Sequence, residues 1–334
     1  MSARPRPWIE AFAPATISNL GPGFDCLGLA IRGAGDRVRV RVASEPGVRI
    51  LGITGDGGKL PRESDRNTAS AVLLRLLQRH APSLGLEVEI DKGLPLGSGL
   101  GSSGASACAA LVAADAALGL GLGHDQLVDF AREGERLACG SAHPDNVAPC
   151  IVGGVVLIPS LEPLRLVSLP IPDDLWIAVY TPGCSVPTAE ARAVLPAKVE
   201  LQAAVRHAAR LGLLVHAFHT GDRRALGEAI VDDLVEPARA GLIPGYLDAK
   251  VGAIEAGALA CSISGAGPTT FALAESGAGE GPPRDPRRVL PPRRRRRQGV
   301  GRSDRARGAG GVEDPALSGS ARSPASTRVR WAAS

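Results

Sequence analysis

The run Pro95-Leu96-Gly97-Ser98-Gly99-Leu100-Gly101-Ser102-Ser103-Gly104-Ala105-Ser106 concentrates the chemistry of this chain. Glycine lets a backbone approach a ligand closely and take positive φ. Serine hydroxyls cap the helix that follows, whose unpaired N–H groups and positive dipole end attract an anion. The run lies between a strand-like Leu86-Glu87-Val88-Glu89-Ile90 and an alanine-rich helical stretch. That context describes a phosphate cradle at a helix start. Gly99-Leu100-Gly101-Ser102-Ser103-Gly104 also satisfies G-x-G-x-x-G, but that fingerprint belongs in the first βα turn of an alternating βαβ unit. Here it comes late, behind hairpin-like sequence. No lysine follows the glycines, which excludes a Walker A loop. A flexible loop with a small-residue helix packed behind it is the plain alternative.

The full run resembles the phosphate loop of the GHMP small-molecule kinases, and three more segments fit the same family. Ala13-Pro14-Ala15-Thr16-Ile17-Ser18-Asn19-Leu20-Gly21-Pro22-Gly23-Phe24-Asp25-Cys26-Leu27-Gly28 resembles its substrate-side motif. His143-Pro144-Asp145-Asn146-Val147-Ala148-Pro149 is similar to a signature of one branch, the homoserine kinases. Ile263-Ser264-Gly265-Ala266-Gly267-Pro268-Thr269-Thr270 resembles the C-terminal glycine loop. The resemblance runs from about Ala11 to Leu273. It implies an α+β, two-domain GHMP kinase fold: a ribosomal protein S5 domain 2-like N-terminal domain, expected over 1–165, and a ferredoxin-like C-terminal domain over 166–275. The activity it implies is ATP-dependent phosphorylation of the L-homoserine hydroxyl. A mevalonate- or shikimate-type kinase and a folded but inactive ligand-binding homologue remain as alternatives.

Phosphoryl transfer asks mainly for positioning and for charge neutralisation by a metal, and Mg²⁺ takes a few hard oxygen ligands besides phosphate and water. The resemblance assigns Mg²⁺ to Ser103 and Glu135; on its own, Glu135 beside Glu133 reads as a solvated helix face. Asn67 matches an adenine-contacting position, and helix capping is its ordinary role. ATP is expected along Pro95 to Gly104. A small zwitterionic acceptor needs an anion for its ammonium and a cation for its carboxylate, and arginine suits a carboxylate because it can make two parallel bonds. Asp25 suits the ammonium and Asn19 the hydroxyl, and Arg192 and Arg239 fall at family-matching positions. The resemblance adds His143, Asp145 and Gly265 to the homoserine site, and Asn146 close to the transferred phosphoryl group. No general base is assigned.

These groups must be held by regular elements, and the hydrophobic periodicity supplies them. Arg37 to Val42 alternates basic and apolar residues, as a half-exposed strand does. From Ser64, Ala69, Val72, Leu73, Leu76 and Leu77 mark one helical face. Helices are expected at Ser103 to Leu118 and Asp125 to Ala138, a strand at Ile151 to Pro159, and a Pro-rich boundary link to Pro172. Beyond it come a strand at Trp176 to Tyr180, helices near Thr188, Ala203 and Ala225, and strands flanking Ser264 to Thr270. Hydrophobic residues make up 44% of the 334 and aromatics only 3%, so the core must be Leu, Val, Ile and Ala. Six scattered cysteines without CxxC pairs read as small buried residues in a reducing compartment. No signal-like segment and no apolar run near membrane-spanning length occurs; the expected setting is the cytoplasm, with no membrane partner.

Charge separates the two ends. Residues 276–334 hold fourteen arginines, no lysine and five acidic residues, a net +9 in a chain of net +4, so residues 1–275 carry −5. An acidic body with a basic tail does not describe a nucleic-acid-binding domain. A homodimer stays open. Family members continue after Leu273 with a helix and a strand, whereas this chain turns to Gly, Pro and Arg. Few apolar residues and high charge do not offset the entropy of ordering, so this tail is expected to stay disordered, with no strand or helix periodicity.

Overall fold

The computed structural model describes residues 6–140, 143–172, 174–275 and 327–330, with side chains except at 135, 137–139 and 327–330. In chain order the elements are β1 (Ile9–Asn19), β2 (Gly23–Ala43), β3 (Gly47–Thr54), α1 (Thr68–His80), β4 (Gly85–Asp91), α2 (Ser102–Leu118), α3 (His124–Cys139), α4 (Val147–Val152), β5 (Val155–Leu161), β6 (Leu164–Leu169) and β7 (Leu175–Tyr180). They continue with α5 (Thr188–Ala193), α6 (Leu201–Thr220), α7 (Arg223–Ala229), α8 (Glu236–Ala240), α9 (Tyr246–Glu255), β8 (Ala260–Ile263), β9 (Thr270–Glu275) and β10 (Thr327–Arg330). The strands form two sheets. One runs β3-β4-β2-β5-β6 with β1 paired to β2, and the other runs β10-β7-β9-β8.

Alternation along β2 explains the first sheet. Val38, Val40 and Val42 point into the core, while Arg37, Arg39 and Arg41 face out. On that outer face Arg37 pairs with Glu10, Arg39 with Glu89 and Arg41 with Glu87, and their guanidiniums lie over the Phe12 and Trp8 rings. Cross-strand charge pairs of this kind fix register as well as adding a little stability. The inner face is covered by α2, which is buried on nearly every side and therefore shows no amphipathic stripe. Its alanines let neighbours come close. A Cβ on Gly134 of α3 would meet Ala107 of α2 at 3.3 Å and Val72 of α1 at 3.0 Å.

The apolar face expected on α1 is buried in full, at Ala69, Val72, Leu73, Leu76 and Leu77. The helix starts at Thr68 rather than Ser64, because Asn67 caps it: its Oδ1 accepts from the Ala69 N–H at 3.1 Å. Ser64 instead donates to the Val48 carbonyl and ties the approach to β3. The strand expected from Ile151 begins only at Val155, since α4 occupies the chain to Val152 and Gly153 and Gly154, both at positive φ, separate the two. The Pro-rich stretch taken as a link is a hairpin, with β6 paired to β5 in the first sheet. Within the tail, Thr327 to Arg330 form β10, Thr327 opposite Val179 and Arg330 opposite Trp176. The expectation that no strand pattern survives there fails at these four residues. Thr-Arg-Val-Arg does alternate, and the edge of β7 offers unpaired backbone groups. The remainder of 276–334 lies outside the described residues.

Beneath the glycine-rich run sits a charged node. Asp36, wholly buried on β2, accepts from the N–H groups of Gly93 and Leu94 at 3.1 Å each and from Ser106 Oγ at 2.7 Å. Lys92 Nζ pairs with the same carboxylate and also donates to the Ser102 carbonyl at 2.7 Å and to Ser106 Oγ at 2.8 Å. One carboxylate thus joins β2, the exit of β4 and the first turn of α2. Removing one member of a buried ion pair strands the other. Lys92→Met should therefore lower unfolding free energy by about 3–5 kcal/mol, whereas Ser106→Ala, which keeps the pair, should lose only about 1 kcal/mol. Urea denaturation of the two variants measures the difference.

Candidate active site

One cleft of about 790 Å³, counting its open mouth, gathers most of the residues singled out from the sequence. Its first wall is the glycine-rich loop and the start of α2: Gly97, Ser98, Gly99, Gly101, Ser102 and Ser103. Pro95 lies exposed and Leu96 half-buried at the loop's entrance, Leu100 is buried beneath it, and Gly104 is buried inside α2. Gly101 shows why this loop needs glycine. Its φ is +66°, and a Cβ there would lie 2.0 Å from Thr16 Oγ1. The loop presses on β1 at that point, where the Thr16 N–H donates to the Leu100 carbonyl at 3.1 Å. Ser103 Oγ is buried at the wall and has no hydrogen-bond partner.

The second wall comes from the β1–β2 turn and the His143–Asn146 loop. Asn19, Leu20 and Asp25 take positive φ, at 75°, 48° and 58°. Left-handed backbone in non-glycine residues costs energy and persists only where the surroundings impose it. Asn19 Oδ1 accepts from the Asp25 N–H at 3.2 Å, and its Nδ2 donates to the Gly265 carbonyl at 3.3 Å. Gly28 lets the His143–Asn146 loop close on β2, since a Cβ there would sit 1.8 Å from the Asp145 carbonyl oxygen. Asn146 is held by two β1 side chains. Thr16 Oγ1 donates to its Oδ1 at 2.9 Å, and its Nδ2 donates to Ser18 Oγ at 3.3 Å.

The third wall belongs to the second sheet and its helices. Arg192 on α5 grips Asp25 through two parallel bonds, Nη1 to Oδ2 at 3.1 Å and Nη2 to Oδ1 at 2.8 Å. Arg239 on α8 is buried; its Nε donates to the Ala191 carbonyl at 3.0 Å and its Nη1 to the Gly265 carbonyl at 2.8 Å. Both guanidiniums lie over the Phe24 ring, at 5.6 and 5.3 Å. The loop carrying Gly265 is stitched to the other two walls: Gly265 N–H donates to Ser18 O, Ser264 Oγ to Gly99 O and Thr269 N–H to Ser98 O.

Burial shapes the ionisation. Desolvation, followed by the nearby charge of Asp25, pushes the Asp145 carboxyl up to about 7, against a hydrogen bond with Ser18 and the charge of Arg192. Burial also pushes His143 down, with Asp25 pulling up and Arg192 pushing down; its Nδ1 lies 3.4 Å from Asp25 Oδ2. Burial, then Arg192, lowers Arg239.

Asn67 is not among the residues that line this cleft. Asn67 caps α1, its Nδ2 donating to the Pro61 carbonyl at 2.9 Å. Glu135 lies on α3, and its side chain is outside the described residues. Thr16 and Ser18 went unsingled in the sequence. Two polar side chains two residues apart on a strand whose neighbours Ala15 and Ile17 are buried in the core were the available signal. The five described cysteines are free thiols, and no described helix is long and apolar enough to cross a membrane.

A helix N-terminus in a glycine-serine loop faces a recess with charges of both signs, an arrangement that suits a phosphate at one end and a small charged molecule at the other. The family model for the GHMP kinases N terminal domain matches residues 67–154, and that for the GHMP kinases C terminal matches residues 214–281. The homoserine kinase of Chlorobium phaeobacteroides (strain BS1) is 46% identical over 278 residues, spanning 80% of this chain and 87% of the relative. That of Arabidopsis thaliana is 46% identical over 277 residues, spanning 80% of this chain and 74% of the relative. The crystal structure of homoserine kinase from Cytophaga hutchinsonii superposes with a TM-score of 0.78 at 46% identity, covering 83% of this chain and 87% of that one. The chain belongs to the homoserine kinase family and has the two-domain GHMP kinase fold. ATP is the phosphoryl donor of such a kinase.

Asp145 gives the site a pH signature. Its folded-state pKa lies above the unfolded carboxyl value near 4, so its contribution to stability is full below that value and is lost as pH rises through about 7. Between pH 4 and 7 the free protein should therefore lose stability relative to Asp145→Asn, with a slope approaching ~1.4 kcal/mol per pH unit. Parallel denaturation curves across that range check it.

Proposed function

We propose that this chain transfers the γ-phosphoryl group of ATP to the side-chain hydroxyl of L-homoserine, forming O-phospho-L-homoserine on the route to threonine. The observation that carries this reading is the meeting, in one cleft, of the α2 N-terminus with the Asp25–Arg192 charge pair. The glycine loop and the α2 dipole hold the phosphates, and Asn67 serves the adenine side indirectly, by fixing the start of α1. Asp25 and Asn19 take the ammonium and hydroxyl ends of the acceptor, Arg192 and Arg239 its carboxylate, and His143, Asp145 and Gly265 close the pocket. We place the division between the two halves of the enzyme in the connection after β6.

Mg²⁺ fits the donor set. Ser103 Oγ, buried in the cleft wall and unpartnered, is the kind of hard oxygen that such an ion or its phosphate takes up, and Glu135 would add a carboxylate. When bound, the ion offsets negative charge on the phosphates. The chain's own contribution is alignment. Thr16 and Ser18 fix the Asn146 amide beside the loop, with one Nδ2 hydrogen left to meet the transferring group. The O–P bond forms as the bond to the leaving ADP breaks, and the hydroxyl proton departs through the phosphoryl oxygens to water. No side chain is assigned as base; positioning supplies most of the acceleration.

Two measurements test this reading. Purified protein should consume ATP with L-homoserine and not with mevalonate, shikimate or galactose; turnover of another alcohol with none of homoserine would overturn the assignment, and ATP binding without any turnover would mark an inactive homologue. Thr16→Val keeps the shape but removes the donor that orients Asn146. Its kcat should fall by roughly 10-fold or more with KM for homoserine nearly unchanged, and Thr16→Ser should restore it; steady-state kinetics separates the two constants.

A further inference from the structure

We propose that Phe24 is a positioning residue for the acceptor's carboxylate: the face of its ring holds the Arg192 and Arg239 guanidiniums at the cleft wall, where they receive that group. The proposal rests on the reading that the cleft takes L-homoserine and deepens it.

Apolar packing does not account for the ring. Phe24 is half-buried, yet it is part of neither apolar cluster among the described residues. What lies over it is charge, with Arg192 Cζ 5.6 Å and Arg239 Cζ 5.3 Å from its centroid. An aromatic face carries partial negative charge and attracts a guanidinium, more strongly where water is excluded. The ring is also fixed in place. It follows Gly23, where a Cβ would come within 2.4 Å of Leu27 Cβ, and precedes Asp25, whose N–H is tied to Asn19 Oδ1 at 3.2 Å.

The two arginines need such a support. They come from α5 and α8, six and five residues long, and helices that short do not hold themselves. Arg239 is buried with its Nε and Nη1 on neutral carbonyls, and the charge of Arg192 opposes its own. The ring belongs to β2 in the first sheet, whereas both arginines belong to the second half of the chain. It gives two like charges a common surface without adding another anion beside Asp25 to compete with the acceptor's carboxylate.

A ring that acts through its charge distribution and a ring that only fills space predict different outcomes. Ring fluorine draws electron density from the face, changes the size little and makes the ring more apolar. A filler would therefore keep or improve its effect, while a support for cations would lose it stepwise.

Phenylalanine carrying one, two or three ring fluorines is placed at position 24 of the full chain. In calorimetric titration the affinity for L-homoserine should fall with each added fluorine, to about 10-fold weaker at three. ATP and 3-aminopropan-1-ol, which lacks the carboxylate, should bind as before. In steady state KM for homoserine should rise with kcat nearly unchanged. Phe24→Tyr, which keeps the face, should match the unmodified protein, and Phe24→Leu the trifluorinated one. Equal homoserine affinity along the fluorine series, or an equal loss for the amino alcohol, overturns the proposal. A further arm needs no substrate: the thermal midpoint of the free protein should fall along the same series, and fall less in Arg239→Met. If the unmodified protein neither binds nor turns over homoserine while the midpoint falls in this way, the substrate reading fails and the hold of the ring on the arginines stands. A midpoint that does not respond to fluorine overturns that hold.

Discussion

The architecture of the cleft depends on the carboxylate of Asp36. It is wholly buried, accepts from two consecutive backbone amides at the exit of β4, and pairs with Lys92, which in turn holds the first carbonyl of α2. A buried ion pair gives little net stability, because desolvation opposes the attraction between its members. Its effect here is geometric. The chain between β4 and α2 has to turn toward β1 at a fixed height, and glycine adds little conformational restraint of its own to that turn. Asp36 pins both ends of the turn from below, so that the helix N-terminus opens onto the cleft instead of onto the sheet.

From that node the walls are joined by hydrogen bonds in most of which a backbone group takes part. The loop touches β1 through Leu100 and Thr16, the late glycine loop touches both through Ser98, Gly99 and Ser18, and Arg239 fastens α8 to the Gly265 and Ala191 carbonyls. Each contact joins segments far apart in the chain. A displacement of one wall is therefore felt at the others, which is the condition for holding two substrates in reacting position. The three left-handed residues at the β1–β2 turn fit the same scheme, since strain of this kind survives only where contacts on several sides determine the backbone.

Charge is managed by pairing within the cleft rather than by solvent. Arg192 uses Asp25, Arg239 uses carbonyls and a ring face, and Asp145 is kept largely neutral up to about pH 7 by burial. The outer face of the first sheet uses arginine in another way, in exposed cross-strand pairs with glutamate that add little energy and much register. The basic surplus of the tail has no share in either arrangement among the described residues.

Sequence alone determined the chemistry carried by short segments. Glycine and serine at the start of an alanine-rich helix mark a loop that opens onto a helix dipole, although the expected serine cap is absent and Gly101, at φ 66°, takes the N-cap position of α2 without a side-chain bond; the apolar spacing of α1 specifies its buried face because helical period is local. It also supplied the identities of Asp25, His143, Arg192 and Arg239. It could not supply their pairings. That Asp25 meets Arg192 across 167 positions, that Thr16 and Ser18 orient Asn146, that Asn67 spends its amide on a helix cap, and that Asp36 reaches Lys92 behind the loop all depend on strand register and on which walls close together. The hairpin in the Pro-rich stretch and the pairing of β10 with β7 were hidden for the same reason. A strand edge selects its partner by backbone groups that nearly every residue carries, so only the folded chain decides which segment fills it.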